Sequence, residues 1–191
     1  NVRVSAPSPQ AISVDYTMFD GSAEDGLDYT ASSGTMIFAP GETNHAIAIP
    51  IIGDLLNEFD EYFQVQLANP TNATLVLSNA YPTIVDNDAE PQLSIGDVVL
   101  TEGNTGRKDY VFEVTLSAPS GKYVSVDFAT ADDTALAGVD YVSTNGSLTF
   151  IPGETTQTVV VPVNGDVTIE SDEEFFVQLN SASYAGIFRD S

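Results

Sequence analysis

The sequence repeats itself at one fixed interval, and this repeat limits the folds that the chain can adopt more than any other feature does. Residues 26–67 recur without a gap as residues 138–179, so each matched residue lies 112 positions further along the chain. Both copies contain a Gly-x-Asp-Tyr segment, a Pro-Gly-Glu-Thr turn and an Asp-Glu pair that precedes an apolar strand. Self-similarity at a constant interval indicates two similar domains in tandem.

The same interval sets the domain boundaries, because residues 2–8 also match residues 114–120. We predict one domain at residues 1–90, with its first strand missing, and another at residues 91–191, with its last strand missing. A chain of 191 residues is long enough for two cores. Since the first copy starts inside a predicted strand, we expect a piece of a longer protein, whose open sheet edges pair with a neighbouring copy.

Alternating apolar residues predict strands, and no segment shows the periodicity of an amphipathic helix. Ile12, Val14 and Tyr16 alternate with polar neighbours, as do their counterparts in the second copy. The Pro-Gly dipeptide at Pro40 predicts a turn, and Pro50 predicts an edge strand or a bulge. The strands predicted for the first copy are residues 11–19, 35–38, 46–52, 61–67 and 81–85. Such short strands indicate an antiparallel sandwich of about seven strands per domain.

The net charge of −23, from 28 acidic and 5 basic residues, restricts the partners of the chain. Nucleic acid and anionic membranes are poor partners for such a surface. Two interpretations remain, a generally acidic surface for solubility and a cation-binding protein. Many carboxylates lie in a few short connections between predicted strands, which favours cation binding. The chain has no cysteine, hence no disulfides, and no apolar run long enough to span a membrane.

The placement of these carboxylates suits a calcium site. In the first copy they lie in a glycine loop, in the connection before the Phe63 strand and after the last strand: Asp28, Asp54, Glu58, Glu61, Asp86 and Asp88. In a sandwich such connections can converge at one end, where like charges raise one another's pKa or demand a counter-ion. Many hard oxygen ligands suit Ca²⁺ better than Mg²⁺. Zinc is disfavoured by the absence of cysteine and the single histidine, and no EF-hand loop is present.

Other candidate functional residues have plainer explanations. His45 lies in a predicted turn, and we expect it on the surface, which disfavours a Ser-His-Asp mechanism. Glu58 and Glu61 resemble a glycosidase pair, but their duplication among further carboxylates fits metal ligation better. Tyr29 and Tyr141 are predicted to be packing residues. We therefore predict that the protein is not an enzyme.

Three motifs in succession carry a family resemblance. G-x-D-Y, then G-x-[LM]-x-F-x-P-G-E-T, then G-D-x-x-x-E-x-D-E-x-F-x-V-x-L resemble the Calx-beta domain, as do residues 84–88 and 99–104. The resemblance covers nearly the whole chain. It implies an all-β fold of two tandem immunoglobulin-like antiparallel β-sandwiches. Such domains occur in sodium–calcium exchangers, in an integrin β subunit and in bacterial surface or adhesion proteins, and the exchanger domain binds Ca²⁺ at one end of the sandwich.

The resemblance also implies ligands, position by position. In the first copy they are the six carboxylates named above. In the second copy they are Glu102, Asp140, Asp166, Glu170 and Glu173. Asp60 and Asp172 occupy acidic positions beside the ligands. The first copy has no equivalent of Glu102, and the second has no equivalent of the acidic run at residues 86–88.

The leading functional prediction is a calcium-binding structural or adhesive module of a larger extracellular or cell-surface protein. Ca²⁺ would order the loops and stiffen the domain junction. The expected partners are calcium ions, neighbouring Calx-beta modules of the same or another chain, and a protein or glycan adhesion ligand; no direct membrane insertion is expected. One alternative is a Ca²⁺-sensor regulatory module of a membrane transporter. Another is a protein-interaction module that binds no metal.

Overall fold

The computed structural model describes residues 1–188, and all regular structure in this range is β-strand. No helix in the range has the length and apolar character needed to cross a bilayer. The chain divides into two compact units. Unit 1 contains residues 1–54 and 59–86, whereas unit 2 contains residues 55–58 together with the chain from residue 87 onward. The placement of residues 55–58 with unit 2 does not follow from the repeat.

Unit 1 is built from short antiparallel strands. They are β1 (Val2–Arg3), β2 (Ile12–Phe19), β3 (Ser33–Phe38), β4 (Asn44–His45), β5 (Glu61–Tyr62), β6 (Gln64–Thr71), β7 (Asn79–Ala80) and β8 (Thr83–Ile84). One sheet has the order β3-β2-β6-β7, and β1–β4 and β5–β8 form two-stranded pairs. The predicted alternation is confirmed for Ile12 and Val14, which are buried, whereas Tyr16 is half-buried and packs against the core.

Unit 2 is a sandwich of two sheets in the part of the chain that the structure describes. Its strands are β9 (Gln92–Ile95), β10 (Arg107–Leu116), β11 (Val124–Asp132), β12 (Asn145–Phe150), β13 (Thr156–Asn164), β14 (Phe175–Ser183) and β15 (Gly186–Ile187). One sheet has the order β13-β10-β9-β15 and the other β12-β11-β14. All pairs are antiparallel except β15 with β9. The predicted sandwich of about seven strands is confirmed for this unit.

The core of unit 2 lies between the inward faces of the two sheets. Val114 and Val161 belong to the first sheet and Val126 and Phe150 to the second, and all four are fully buried. Burying apolar side chains of this size stabilises the fold by about 1.5–3 kcal/mol each. Pro162 lies in β13, an edge strand, which is one of the two environments predicted for the repeated proline.

The predicted strand at residues 46–52 is not formed as regular strand in unit 1, where only Ile51 makes an isolated bridge, to Tyr29. The equivalent segment of unit 2 is most of β13, which pairs with residues 107–115 of β10. Residues 107–112 have no counterpart in the first copy of the sequence. Without those partners the backbone of residues 46–50 has no neighbouring strand, within the described residues, from which to form a ladder.

The predicted Pro-Gly turn is confirmed in both units. The amide of Glu42 donates to Ala39 O at 2.9 Å, and Gly41 has a φ of 87°. A proline followed by a residue with positive φ is the requirement of a type II turn. The second copy repeats the bond, with Glu154 N donating to Ile151 O at 2.9 Å.

Candidate metal centre

Five carboxylates of unit 2 come together in two overlapping groups. In one, the ligand oxygens of Glu102, Asp166 and Glu170 lie within 4.8 Å of one another. In the other, those of Asp140, Glu170 and Glu173 do so. Glu170 belongs to both groups. These are the five residues that the resemblance implied for the second copy, and the structure brings them to one place.

Strand register explains this convergence. Three connections carry these carboxylates. Glu102 lies between β9 and β10, and Asp140 lies between β11 and β12. The connection between β13 and β14 contains Asp166, Glu170 and Glu173. Arg107 at the start of β10 pairs with Asn164 at the end of β13. In the other sheet, Asp132 at the end of β11 pairs with Phe175 at the start of β14. All three connections therefore leave their sheets at the same end of the sandwich.

A close backbone approach holds Glu102 beside Asp166. Gly165 N donates to Gly106 O at 2.9 Å. A Cβ atom at Gly165 would lie only 2.7 Å from Gly103 O, so no side chain fits there. The sequence showed the glycine before Asp166 but contained no signal that it faces another backbone segment.

The loop that carries Asp140 is fixed by local hydrogen bonds. One oxygen of the Asp140 carboxylate, Oδ2, accepts from Leu136 N at 2.7 Å. The backbone carbonyl of Asp140 accepts from Asn164 N at 2.7 Å. Gly138, with a φ of 88°, closes the turn by donating to Tyr141 O at 2.7 Å. The aspartate of the Gly-x-Asp-Tyr motif therefore both shapes its loop and contributes an oxygen to the group.

The electrostatics of the groups disfavour full ionisation without a cation. Loss of solvent around the carboxyl and then the negative charges of Asp166 and Glu173 raise the pKa of Glu170. Loss of solvent and the charge of Asp140 likewise raise the pKa of Glu173. Like charges held this close favour protonation or a counter-ion. A set made only of carboxylate oxygens fits a hard cation that accepts many oxygen ligands, such as Ca²⁺.

A tyrosine–aspartate contact beside the groups was missed by the sequence analysis. Tyr141 is buried, and its hydroxyl donates to Asp132 Oδ1. Its ring stacks on Phe175, with centroids 4.4 Å apart and planes at 14°. Burial and then this hydrogen bond raise the pKa of Tyr141, and the bond lowers the pKa of Asp132. The repeat places Asp20, Tyr29 and Phe63 at the equivalent positions, but nothing in the sequence marks the aspartate and the tyrosine as partners.

The six predicted ligands of the first copy are divided between the units. Asp28, Asp54, Glu61 and Asp86 belong to unit 1, and Glu58 and Asp88 belong to unit 2. Asp28 Oδ2 accepts from Glu24 N at 2.7 Å, which repeats the bond of Asp140. Asp60, predicted to lie beside the ligands, accepts from Asp86 N at 3.1 Å. The ligand set of the first copy stays a prediction.

Residues 55–58 join unit 2 through a buried polar contact. Asn57 is 5% exposed and Ser120 is 2% exposed. The Asn57 side chain donates from Nδ2 to Asp88 O at 2.9 Å and accepts from Lys122 Nζ at 3.0 Å. Its backbone carbonyl accepts from Ser120 Oγ and from Gly121 N, both at 3.1 Å. The repeat could not predict this contact, because the counterpart of Asn57 is Ile169, which is fully exposed.

The fold and the carboxylate groups together define a class of protein: tandem all-β sandwich domains with clustered carboxylates at one end of a sandwich. The model of the Calx-beta domain matches residues 1–88 and 97–186. The chain therefore belongs to the Calx-beta domain family, as its motifs predicted.

Relatives of the chain include sodium/calcium exchangers. Sodium/calcium exchanger 2 of Rattus norvegicus is 33% identical over 189 residues, covering 90% of this chain. Sodium/calcium exchanger 1 of Canis lupus familiaris is 30% identical over 200 residues, covering 93% of this chain. The chain spans 20% of the length of each.

Among solved structures, the calcium binding domain CBD12 of CALX1.1 is similar at 25% identity. The similarity covers 94% of this chain and 70% of that one, with a TM-score of 0.44.

Proposed function

We propose that this chain is a Ca²⁺-binding regulatory module of a larger transporter. Its second unit binds the ion through five carboxylates: Glu102, Asp140, Asp166, Glu170 and Glu173. The observation that carries this proposal is the position of Glu170, whose carboxylate is shared by two groups of three ligand-type oxygens. One cation placed between the groups would contact carboxylates from three connections at once.

The relatives favour the regulatory role over the adhesive one. Two relatives that match nearly the whole chain are sodium/calcium exchangers, and neither is described as an adhesion protein. Calcium ions and neighbouring Calx-beta domains remain the expected partners. The chain acts by binding and not by catalysis. Localisation at the cell surface and the domain boundary after residue 90 stay predictions from the sequence.

The expected mechanism follows from the charges. Without the ion, repulsion between the carboxylates opposes the close approach of the β13–β14 connection to Asp140 and Glu102. The ion neutralises these charges and ties the three connections together. Because the ligands come from separate segments that only the fold unites, binding contributes directly to the stability of unit 2. The three connections would become more ordered when the ion binds, and this ordering is the signal that the rest of a transporter would sense.

Thermal unfolding of the 191-residue chain tests calcium binding. Melting curves are recorded with excess chelator, with millimolar Ca²⁺ and with millimolar Mg²⁺. We expect Ca²⁺ to raise the melting temperature well above the value with Mg²⁺, since Mg²⁺ retains more of its water. Identical curves in all three conditions would overturn the proposal.

Affinity separates a regulatory module from a structural one. Sensor sites bind Ca²⁺ with dissociation constants of about 10⁻⁷–10⁻⁵ M, whereas extracellular structural modules bind at about 10⁻⁴–10⁻³ M. Calorimetric titration of the chelator-treated chain measures this constant. A value in the sensor range supports the regulatory role. A value near the millimolar range would instead restore the structural prediction.

A further inference from the structure

A buried hydrogen-bonded tyrosine stands directly beside one ligand of the proposed site. Tyr141 follows Asp140 in the chain and is 1% exposed. Its hydroxyl donates to Asp132 Oδ1, and the same oxygen accepts from Ala137 N at 2.9 Å. Asp132 therefore holds both sides of the loop that carries Asp140.

The tyrosine ring links this loop to the segment that carries a second ligand. Phe175, on which Tyr141 stacks, lies two residues after Glu173. The adjoining backbone is fastened to the same loop, because Ala135 N donates to Glu174 O at 2.9 Å. Glu174 N donates in turn to Thr134 Oγ1 at 2.7 Å. The spacing between the Asp140 and Glu173 segments is therefore set by packed and hydrogen-bonded neighbours.

The other carboxylates are held by backbone contacts, among them the hydrogen bond from Gly165 N to Gly106 O. Asp166 and Glu170 lie in the irregular connection between β13 and β14, where Thr168 N donates to Asp166 Oδ1 at 2.6 Å. The site thus combines one half that is fixed by the fold with another half on an irregular connection.

Unit 1 contains the same arrangement. The Tyr29 hydroxyl donates to Asp20 Oδ1 at 2.8 Å, and Asp25 N donates to the same oxygen at 2.9 Å. The Tyr29 ring stacks on Phe63 at 4.2 Å. The arrangement is therefore a regular part of this fold, and the pair in unit 1 offers a matched control for the pair in unit 2.

We propose that Asp132 and Tyr141 are positioning residues of the calcium site: their hydrogen bond holds Asp140 in its ligating orientation before the ion arrives. This inference rests on the proposed function of the same site. Partners that orient a metal ligand affect affinity because they remove the freedom that binding would otherwise have to restrict. Loss of the bond should therefore weaken Ca²⁺ binding while every ligand is retained.

The decisive comparison is Tyr141→Phe against Tyr29→Phe in the full chain. Each variant keeps both stacked rings and removes one hydroxyl. Amide resonances of unit 2, followed by NMR during a Ca²⁺ titration, give the affinity of this site separately from any other. We expect Tyr141→Phe to weaken it by about 10-fold or more, and Tyr29→Phe to leave it unchanged.

Asp132 supplies the second test, because it is exposed and its replacement need not disturb the core. We expect Asp132→Ala to weaken binding as Tyr141→Phe does, and the double variant to be no weaker than either single one. Asp132→Asn should restore binding, because the amide oxygen still accepts from the tyrosine hydroxyl. A purely electrostatic role for Asp132 would instead make Asn as weak as Ala.

The two proposals fail in different ways. If the unaltered chain shows no Ca²⁺-dependent shifts, the proposed function is wrong. If the unaltered chain binds and Tyr141→Phe binds equally well, only the positioning role is wrong. Equal weakening by Tyr29→Phe would also contradict it, because a general loss of stability would then explain the effect. A lower melting temperature of Tyr141→Phe with an unchanged affinity likewise contradicts the positioning role.

Discussion

The ring of Tyr29 stacks on the ring of Phe63, with centroids 4.2 Å apart and planes at 14°. Both side chains are almost completely buried, and burial followed by the hydrogen bond to Asp20 raises the pKa of Tyr29 to about 12. Unit 2 repeats the stack with Tyr141 and Phe175 at 4.4 Å. The stack joins the Gly-x-Asp-Tyr loop to the strand that follows the acidic connection, so it links two segments that are well separated in the sequence.

Phe63→Ala tests how much this stack contributes to unit 1. Removing a buried phenylalanine ring costs about 3–5 kcal/mol of unfolding free energy, because contacts are lost and a cavity is left. Phe19→Ala is the matched control, since that ring is 47% exposed and should cost less than about 1 kcal/mol. Urea unfolding followed by circular dichroism measures both. Equal losses for the two variants would contradict the importance of the stack.

Gly165→Ala tests the close approach that places Asp166 beside Glu102. The new Cβ would meet Gly103 O at 2.7 Å, so one segment must move away from the other. We expect Ca²⁺ affinity to fall by at least about 10-fold. Gly53 is the equivalent residue of the first copy and has no atom within 4 Å of an added Cβ. Gly53→Ala should leave the affinity of the unit 2 site unchanged in the same NMR titration.

Glu170→Gln tests the shared ligand. The substitution removes one charge and one strong oxygen donor from both groups, and we expect the affinity for Ca²⁺ to fall by at least about 10-fold. Asp172→Asn removes the same charge two residues away, from a side chain that is in neither group. Its effect should be small at physiological salt, because exposed charges are screened. Similar losses in both variants would mean that general acidity, and not ligation, attracts the ion.

The sequence predicted more of unit 2 than of unit 1, and the reason is physical. The family resemblance implied the five carboxylates of the second copy position by position, and the structure groups them because their connections leave the sandwich at the same end. The prediction of a regular strand at residues 46–52 was wrong. Strand formation depends on a partner strand, which the alternation of Ile47 and Ile49 does not reveal.

The repeat also hid differences between the copies. A constant interval matches Asn57 with Ile169 but does not show that the two residues have different surroundings. Asn57 is buried and hydrogen-bonded through both its backbone and its side chain, whereas Ile169 is fully exposed. The hydrogen bond between tyrosine and aspartate was missed for another reason. Asp20 and Asp132 occupy matched positions in the two copies, but their separation from the tyrosines along the sequence does not indicate a contact.

Asn57→Ala tests the buried contact of residues 55–58 in unit 2. The substitution removes one hydrogen-bond partner from Asp88 O and one from Lys122 Nζ, at a cost of about 1–3 kcal/mol for an unsatisfied buried group. Ile169→Ala, at the equivalent exposed position, should change stability by less than about 0.5 kcal/mol. Differential scanning calorimetry of the two variants measures the difference. A neutral Asn57→Ala would show that water replaces the lost bonds without cost.

The raised pKa values of Glu170 and Glu173 predict a pH dependence whose sign reverses with calcium. The folded state without the ion favours the protonated form of both carboxyls, so their pKa values lie above the ordinary value of 4.5. The two groups therefore stabilise the folded chain at low pH, and this stabilisation is lost as the pH rises through their folded-state pKa values. Acidification from neutral pH towards the ordinary value of 4.5 should therefore raise the melting temperature of the calcium-free chain. The lowered pKa of Asp132 affects stability only below its ordinary value of 3.8, so it does not oppose this rise in melting temperature.

With Ca²⁺ present, protons compete for the ligands and the same acidification should lower the melting temperature. The Glu170→Gln, Glu173→Gln double variant separates this effect from the general repulsion of a chain with net charge −23, since only the local part disappears. An unchanged pH profile in the double variant would assign the dependence to the whole surface instead.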